Sequence, residues 1–268
     1  MNRRQFLRTG TALLSVPLVP PAWTSAADRT TVRVLSYNIH HGEGTDGKLD
    51  LERIARVIRA AEPDLVALQE VDRNTKRSGG VDQPKELARL TKLEALFERN
   101  IAYQGGDYGN AVLTRLTVKR HKNHLLPSLD RGEQRGVLEV ELDAGGEPLL
   151  FFATHLDHRP DDRERLASAK AIEAIVTARP QVPALLAGDL NATPESKVLE
   201  AFRRVWRVAQ TDKPMPTFPA KEPTRQIDYV LYRPAERWKV VEVRVLSEPV
   251  ASDHRPIFAA LSRIPPAG

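Results

Sequence analysis

The sequence predicts a single α/β domain in which two packed sheets carry helices on their outer faces. Short apolar runs typical of buried strands outnumber the helical patterns along the 268 residues. The connections between these runs include both helices and hairpin turns, which indicates mixed sheets. A chain of this length with 41% hydrophobic residues can bury one large core, whereas two separate domains would each be modest.

Apolar spacing gives the order of the elements. A first strand over residues 35–39 leads through a glycine-rich loop into a helix over 49–61, which Pro63 ends. Further strands are predicted at 65–70, 109–114, 136–142, 148–154, 184–188, 227–232, 239–246 and 256–261, and further helices at 84–97, 161–178 and 195–203. In the helix over 84–97, leucines at one face are expected in the core, namely Leu87, Leu90, Leu93 and Leu96.

Residues 1–27 have the features of an export signal. Arg3 and Arg4 form a basic pair, residues 11–19 are mildly apolar, and small residues at 24–27 suit cleavage. The segment resembles a twin-arginine signal, so we expect residues 28–268 to form the mature domain in the periplasm or outside a bacterial cell. A disordered basic tail is the alternative interpretation of the same residues.

Composition limits the partners of the mature chain. Removal of Arg3, Arg4 and Arg8 takes three from the 40 basic residues, which leaves 37 against 35 acidic ones, or +2. That balance provides no overall attraction for nucleic acid, although the basic residues 119–124 either hold a polyanion or form a solvated turn. No apolar run reaches the roughly 18 residues of a transmembrane segment. The absence of cysteine excludes a disulfide framework.

Polar residues stand repeatedly at the ends of apolar, strand-like runs. They are Asn38, Glu70, His155, Asp189, Asn191, Asp228, Asp253 and His254. Each one alone has an ordinary interpretation as a turn former, a helix cap or a solvated loop residue. Buried strands favour apolar side chains, however, so the recurrence needs another reason. We predict one mouth where strand ends converge, in which acidic oxygens hold a hard divalent cation and histidines handle protons.

The motifs around these residues resemble the endonuclease/exonuclease/phosphatase superfamily of metal-dependent phosphoesterases, which includes deoxyribonucleases and sphingomyelinases. The motifs are Ser36-Tyr37-Asn38, Leu68-Gln69-Glu70, Thr154-His155-Leu156, Gly188-Asp189-Leu190-Asn191, Ile227-Asp228-Tyr229 and Ser252-Asp253-His254-Arg255-Pro256. The resemblance runs from about Val32 to Leu261, which is nearly the whole mature chain. It implies a four-layer α/β sandwich, in agreement with the fold expected from the apolar pattern.

The resemblance implies a metal site and a substrate site. Glu70 would be the principal ligand of Mg²⁺ or Mn²⁺, with Asn38 and Asp253 in or near its shell. Asn110 would reach towards the substrate, with a turn residue as the alternative. Arg135 would contact phosphate, with a surface arginine as the alternative.

The resemblance also implies catalytic roles. His254 would be the general base or polarise the phosphate, with Asp228 accepting its other ring N–H. Asp189 would orient or deprotonate the attacking water, and Asn191 would donate to the phosphate. His155 would be a candidate general acid near the scissile oxygen. Three further histidines beside the motif strands, His40, His41 and His158, either belong to loops or form a transition-metal site.

The implied reaction is hydrolysis of a phosphate ester, with diesters favoured, by in-line attack of water. We expect a monomeric, Mg²⁺-dependent hydrolase whose substrate is a nucleic acid, a lipid headgroup or a small molecule. His155 stands where apurinic endonucleases carry a tyrosine, which speaks against abasic-site repair. A binding module of the same fold without catalysis and a nucleic-acid-binding protein without hydrolysis are the alternatives.

Overall fold

Two packed sheets form the centre of the protein, in a computed structural model that describes residues 31–210 and 213–265. The strands are β1 (Thr31–Asn38), β2 (Leu65–Arg73), β3 (Glu94–Tyr103), β4 (Gly106–Thr114), β5 (Thr117–Leu125), β6 (Gly136–Asp143), β7 (Pro148–His155), β8 (Ala184–Asp189), β9 (Arg207–Val208), β10 (Asp228–Arg233), β11 (Trp238–Val245) and β12 (Ile257–Arg263). The α-helices within the same ranges are α1 (Leu51–Ala61), α2 (Gln83–Thr91), α3 (Arg163–Thr177) and α4 (Lys197–Phe202).

Both sheets have six strands and mixed directions. The first has the order β11-β12-β1-β2-β4-β3, and the second has the order β5-β6-β7-β8-β10-β9. The pairs β1–β2 and β7–β8 are parallel, whereas β1–β12 and β8–β10 are antiparallel. The prediction of two packed mixed sheets is therefore confirmed.

Apolar side chains fill three interfaces and produce four layers. Val34 of β1 and Leu185 of β8 belong to the core between the two sheets. The next residue of β1, Leu35, belongs to the core against α1 and α2, and Leu186 of β8 belongs to the core against α3 and α4. Because successive side chains of a strand point to opposite faces, one strand supplies two cores. The predicted four-layer α/β sandwich is confirmed.

Aspartates fix the beginnings of the two helices on the first sheet. Asp50 accepts a hydrogen bond from the backbone N–H of Arg53 at 2.9 Å, and Asp82 accepts one from Lys85 at 3.1 Å. Each carboxylate satisfies a backbone donor that the first helical turn leaves free. These caps place α1 and α2 over the outer face of the first sheet.

The helix predicted over residues 84–97 is wrong beyond Thr91. Lys92 has a left-handed backbone with a φ of 61°, and its N–H bonds to the carbonyl of Ala88, which ends α2. Residues from Glu94 onward form β3 and pair with β4. The leucine spacing continues through this boundary, but pairing with β4 overrides the local helical pattern. Leu96 packs against the core between the sheets rather than under a helix.

The basic stretch 119–124 belongs to an edge strand, β5, and does not form the solvated turn that was one of its two interpretations. Its polar sequence concealed the strand, because the side chains of an edge strand are free to be hydrophilic. Acids face several of its basic side chains in the pairs Lys119–Asp143, Arg120–Glu141, His121–Glu98 and His124–Glu139. This pairing weakens the case for a polyanion at β5.

The predicted export signal lies outside the described residues, so residues 1–27 remain a sequence-based prediction. Within residues 31–210 and 213–265, no helix has the length and apolar character needed to cross a membrane.

Candidate active site

Strand register places three predicted catalytic residues in one row across the second sheet. His155 at the end of β7 lies opposite Asp189 at the end of β8, and Asp189 lies opposite Asp228 at the start of β10. All three are at most 4% exposed. The carboxyl ends of parallel strands meet at one edge of a sheet, and ligand sites of α/β proteins form there.

The end of β1 joins the first sheet to this row. Asn38 Nδ2 donates to Glu70 Oε1 at 3.0 Å and to Asp189 Oδ2 at 3.3 Å. Asn38 Oδ1 accepts from the backbone N–H of His40 at 3.0 Å, which fixes the amide orientation because that N–H can only donate. Asn38 therefore presents hydrogen to Glu70 and orients this carboxylate, and its place in or near the shell of a metal ion stays a prediction.

An irregularity in β2 directs Glu70. The pairing of β2 with β4 shifts register between Leu68 and Val71, and Glu70 between them has a φ of 57°. A bulge of this kind re-aims a side chain. The Glu70 carboxylate consequently lines the cleft that Asp253 also lines.

A buried hydrogen-bond chain keeps His254 charged. Asp228 Oδ2 accepts from His254 Nδ1 at 2.9 Å and from the Thr217 hydroxyl at 2.5 Å. Burial lowers the pKa of His254, but the negative charges of Asp228 and Asp189 outweigh burial and raise this pKa to about 10. The charged ring carries a second proton on Nε2, which lies 3.7 Å from Asp189 Oδ2. Of the two roles expected for His254, this favours a charged donor to phosphate over a general base.

Arg135 fixes the tautomer of His155. Arg135 Nη1 donates to His155 Nδ1 at 3.0 Å, and Nη2 donates to His158 Nδ1 at 3.2 Å. A guanidinium has no acceptor, so the proton of neutral His155 lies on Nε2. Burial, together with the charge of Arg135, holds the pKa of His155 well below 6.5. His155 thus presents a neutral N–H near Asp189 Oδ2, at 3.5 Å.

Asp189 occupies the centre of the polar cluster. Its Oδ1 accepts from the backbone N–H of Asn191 at 2.9 Å, while Oδ2 faces the donors of Asn38, His155 and His254. Burial, reinforced by the charge of Asp228, raises the pKa of Asp189 to about 7. A carboxylate with this pKa can accept a proton from water near neutral pH.

These groups meet at one cleft with a volume of about 460 Å³. The predicted site residues that line it are Glu70, Arg135, His155, Asp189, Asn191, Asp253 and His254. Asn38 and Asp228 are buried behind the lining and bond to its members. The structure therefore brings together all but one of the predicted site residues.

Asn110 is the exception. Its Nδ2 donates to the backbone carbonyl of Gly136 at 3.0 Å, and its side chain is not part of the cleft lining. This bond links β4 of the first sheet to β6 of the second, so Asn110 helps to hold the sheets together. Its assignment to substrate binding stays a prediction without support from this geometry.

The oxygen atoms near Glu70 are suitable ligands for a divalent cation. Glu70 and Asp253 line the same cleft, and within the described ranges their hydrogen-bond partners are Asn38 and Ser252 rather than arginine or lysine. Carboxylate oxygens without a cationic partner are suitable ligands for Mg²⁺ or Mn²⁺. Among residues 31–210 and 213–265, two sets of three residues each offer ligand atoms that lie within 4.8 Å of one another. One set is His40, His41 and Glu70, and the other is Asp189, Asp228 and His254.

The outer wall of the cleft was not predicted from the sequence. Arg77 lies over the rings of Tyr103 and Tyr108, with its guanidinium carbon 4.7 Å and 5.2 Å from the ring centres. Arg225 lies over Phe218 in the same way at 4.7 Å. All five residues line the cleft. None of them ends an apolar run, which was the signal that identified the other residues.

The sequence profile of the Endonuclease/Exonuclease/phosphatase family matches residues 35–254, which include all the predicted site residues. The chain belongs to this family. It is 26% identical over 245 residues to the uncharacterized protein YbhP of Escherichia coli strain K12, with 85% of this chain and 95% of YbhP covered. It is 27% identical over 191 residues to the 5′-tyrosyl-DNA phosphodiesterase of Caenorhabditis elegans, with 68% of this chain and 49% of that protein covered.

Solved structures of family proteins share this fold. An endonuclease/exonuclease/phosphatase from Beutenbergia cavernae superimposes with a TM-score of 0.75 at 29% identity, covering 88% of this chain and 72% of that one. The mannosyl-6-phosphatase Bt3783 of Bacteroides thetaiotaomicron superimposes with a TM-score of 0.72 at 20% identity, covering 86% and 99%. This chain thus has the phosphoesterase fold of the endonuclease/exonuclease/phosphatase family over nearly its whole described length.

Proposed function

We propose that this chain is an exported, divalent-metal-dependent hydrolase of phosphate esters that prefers phosphodiesters. One observation carries the proposal: Glu70, Asp189, His155 and His254 come from distant segments and line a single cleft. His155 and Asp189 end two strands of the second sheet, and Glu70 lies within β2 of the first sheet. A fold that only needed stability would not gather so many buried polar groups at one edge.

The side chains suit in-line attack of water on a phosphate ester. A cation held by Glu70 and Asp253 would neutralise the phosphate and the leaving oxygen. Charged His254 and the neutral Nε2–H of His155 would donate to phosphate oxygens. Asp189 lies between these two rings and would orient the water and take its proton.

Asn191 would add an amide donor beside His155. Its Nδ2 donates to the carbonyl of Leu156 and lies 3.1 Å from His155 Nε2. Asn191 Nδ2 carries amide hydrogens, and His155 Nε2 carries a hydrogen because Arg135 donates to Nδ1. One phosphate oxygen would accept hydrogen bonds from both nitrogens. This pair of donors favours an anionic substrate in the cleft.

The shape of the cleft supports a diester. The rings of Tyr103, Tyr108 and Phe218 line the cleft beside the predicted catalytic groups, with Phe218 4.8 Å from the ring of His254, and offer apolar and aromatic contact. A phosphodiester has a substituent on each side of phosphorus, so the second one would occupy this wall. The names of the similar proteins include a phosphodiesterase and a phosphatase, so chemistry on either ester class is compatible with this fold.

Export is proposed from the sequence of residues 1–27 alone. The basic pair Arg3-Arg4 and the small residues at 24–27 support a twin-arginine-like signal and a periplasmic or secreted enzyme.

A substrate panel tests the proposed activity. DNA, RNA, sphingomyelin, phosphatidylinositol and a chromogenic phosphodiester would each be incubated with Mg²⁺ and the wild-type protein or His254→Ala. We expect hydrolysis of at least one substrate, with turnover at least about 10²-fold lower in the variant, because a positioned charged donor is lost.

His124→Ala is the matched control. His124 lies on β5 and pairs with Glu139 at 2.7 Å, and neither residue lines the cleft. This control should retain wild-type turnover. Equal turnover in wild type and His254→Ala would remove His254 from the mechanism. Binding of a panel member without any hydrolysis would favour the inactive binding module.

A further inference from the structure

His40, His41 and Glu70 form a second ligand group beside the cleft. Each offers one ligand atom within 4.8 Å of the atoms offered by the other two. Glu70 also lines the cleft, whereas the two histidines follow β1 and are outside the lining. Glu70 therefore lines the cleft and also lies beside the imidazoles of His40 and His41.

All three residues have a backbone that side chains rarely adopt. The φ angles are 44° for His40, 43° for His41 and 57° for Glu70. Left-handed backbone is costly for residues other than glycine, and two consecutive cases persist only where the surroundings impose them. Here Gln83 Nε2 donates to the carbonyl of His41 at 2.6 Å, and Asn38 Oδ1 accepts from His40 N–H. The fold thus holds a strained turn that presents two imidazoles to a carboxylate.

The ring contacts leave one nitrogen of each histidine available as a ligand. His40 Nδ1 lies 3.2 Å from the carbonyl oxygen of Glu43, which can only accept, so the proton is on Nδ1 and the unprotonated Nε2 carries a lone pair for a metal. His41 Nε2 lies 3.5 Å from Glu43 Oε2, and buried His41 Nδ1 has no hydrogen-bond partner within the described residues. Histidines that bind metals commonly donate their second ring N–H to a carbonyl or carboxylate in this way.

We propose that His40, His41 and Glu70 bind one divalent transition-metal ion, of the class that accepts imidazole nitrogen and carboxylate oxygen together. Mn²⁺, Co²⁺ and Zn²⁺ belong to this class, whereas Mg²⁺ prefers oxygen ligands alone. The inference refines the metal centre of the proposed function through the shared residue Glu70, but it concerns binding and does not require hydrolysis.

Electron paramagnetic resonance of bound Mn²⁺ tests this inference directly. The mature protein would be titrated with Mn²⁺, and electron spin-echo modulation would detect ¹⁴N nuclei coordinated to the ion. We expect ¹⁴N modulation in the wild type. In a His40→Asn/His41→Asn variant, we expect loss of the modulation and Mn²⁺ affinity at least about 10-fold lower. Asparagine tolerates positive φ, so the double variant preserves the turn, which circular dichroism would verify.

Two further variants assign the nitrogen signal. His124→Asn, on β5, should retain both the modulation and the affinity. The alternative ligand group contains His254, so modulation that survives in the double variant and disappears in His254→Asn would place the ion there and overturn the inference. Absence of ¹⁴N modulation in the wild type would overturn it as well.

The outcomes separate this inference from the proposed function. Nitrogen-coordinated Mn²⁺ in a protein that hydrolyses none of the phosphate esters would preserve the metal site and reject the enzyme. Mg²⁺-dependent hydrolysis without nitrogen coordination of Mn²⁺ would preserve the enzyme and reject the imidazole ligands.

Discussion

At the residue scale, partners that can only donate or only accept decide which atoms face the cleft. The backbone N–H of His40 forces Asn38 to direct its amide hydrogens at Glu70 and Asp189. The guanidinium of Arg135 likewise forces His155 to carry its proton on Nε2. The neighbours of a side chain in this cluster therefore decide which of its atoms carries hydrogen.

The state of His155 predicts a pH dependence of stability. Its pKa is below 6.5 in the folded protein and near 6.5 in the unfolded chain, so below about pH 6.5 the unfolded chain binds more protons. The contribution of His155 to stability should consequently fall with decreasing pH, by at most about 1.4 kcal/mol per pH unit. Urea unfolding at pH 7 and pH 5.5 would measure this. As the pH falls, the free energy of unfolding of wild type should decrease relative to that of His155→Gln.

The charged and titratable groups that face His155 are Arg135, His158, Asp189 and His254. Asp189 and His254 have raised pKa values and contribute in the opposite direction, but both are present in both proteins, so the difference between the proteins reports His155. Equal pH dependence in wild type and variant would show that His155 is not held neutral by its surroundings.

Residues at strand ends were predictable from the sequence, and those on connections were not. Asp189 and His155 stand out because each interrupts an apolar run. Thr217, which supports Asp228, lies in the proline-rich connection and has no local pattern to mark it. Arg77 and Arg225 reach the cleft through tertiary packing alone, so a single sequence does not predict that they line it.

At the element scale, the close approach of β7 and β8 positions the central pair of the site. In the pairing of β7 with β8, Gly188 lies opposite Thr154. The next pair along the two strands is Asp189 and His155. A Cβ added to Gly188 would be 2.1 Å from the backbone carbonyl oxygen of Thr154, which is too close for any carbon–oxygen contact. The distance between β7 and β8 thus requires glycine at this position.

Gly188→Ala should therefore separate the two strand ends. We expect it to lower the free energy of unfolding by about 1–3 kcal/mol, the usual cost of overpacking, and to reduce hydrolysis by displacing Asp189 from His155. Denaturant unfolding and turnover measured on the same preparation would check both effects.

Gly79→Asn is the matched control, since a Cβ there meets nothing within 4 Å and asparagine tolerates its φ of 70°. It should change both quantities little. Wild-type stability and turnover in Gly188→Ala would show that β7 and β8 can move apart without affecting the site.

The central strands of both sheets were predictable, whereas the edge strands β3 and β5 were not. The strands at the centre of each sheet have continuous apolar runs, and their positions agree with the sequence. β3 and β5 lie at sheet edges and carry many polar side chains. Part of β3 was therefore predicted as a helix, and the basic residues of β5 were predicted as a polyanion site or a solvated turn. Their strand state depends on pairing with β4 and β6, which local sequence does not encode.

At the scale of the whole molecule, each sheet contributes half of the site. The first sheet supplies Asn38 and Glu70, the second supplies His155 and Asp189, and the Asn38–Asp189 hydrogen bond connects them at 3.3 Å. Packing of the sheets through a common apolar core sets the distance between the two halves. The fold class and the location of the site were therefore predictable together, whereas the substrate depends on the outer wall of the cleft.

The central claim is that Glu70 holds a divalent cation that hydrolysis requires, and a metal titration tests it. Wild type, Glu70→Gln and Glu236→Gln, an exposed control, would be treated with chelator and titrated with Mg²⁺ on the best substrate of the panel. We predict that chelation abolishes hydrolysis, that Mg²⁺ restores it in wild type and the control, and that Glu70→Gln needs at least about 10-fold more Mg²⁺. Hydrolysis that persists in chelator, or the same Mg²⁺ dependence in all three proteins, would contradict the claim.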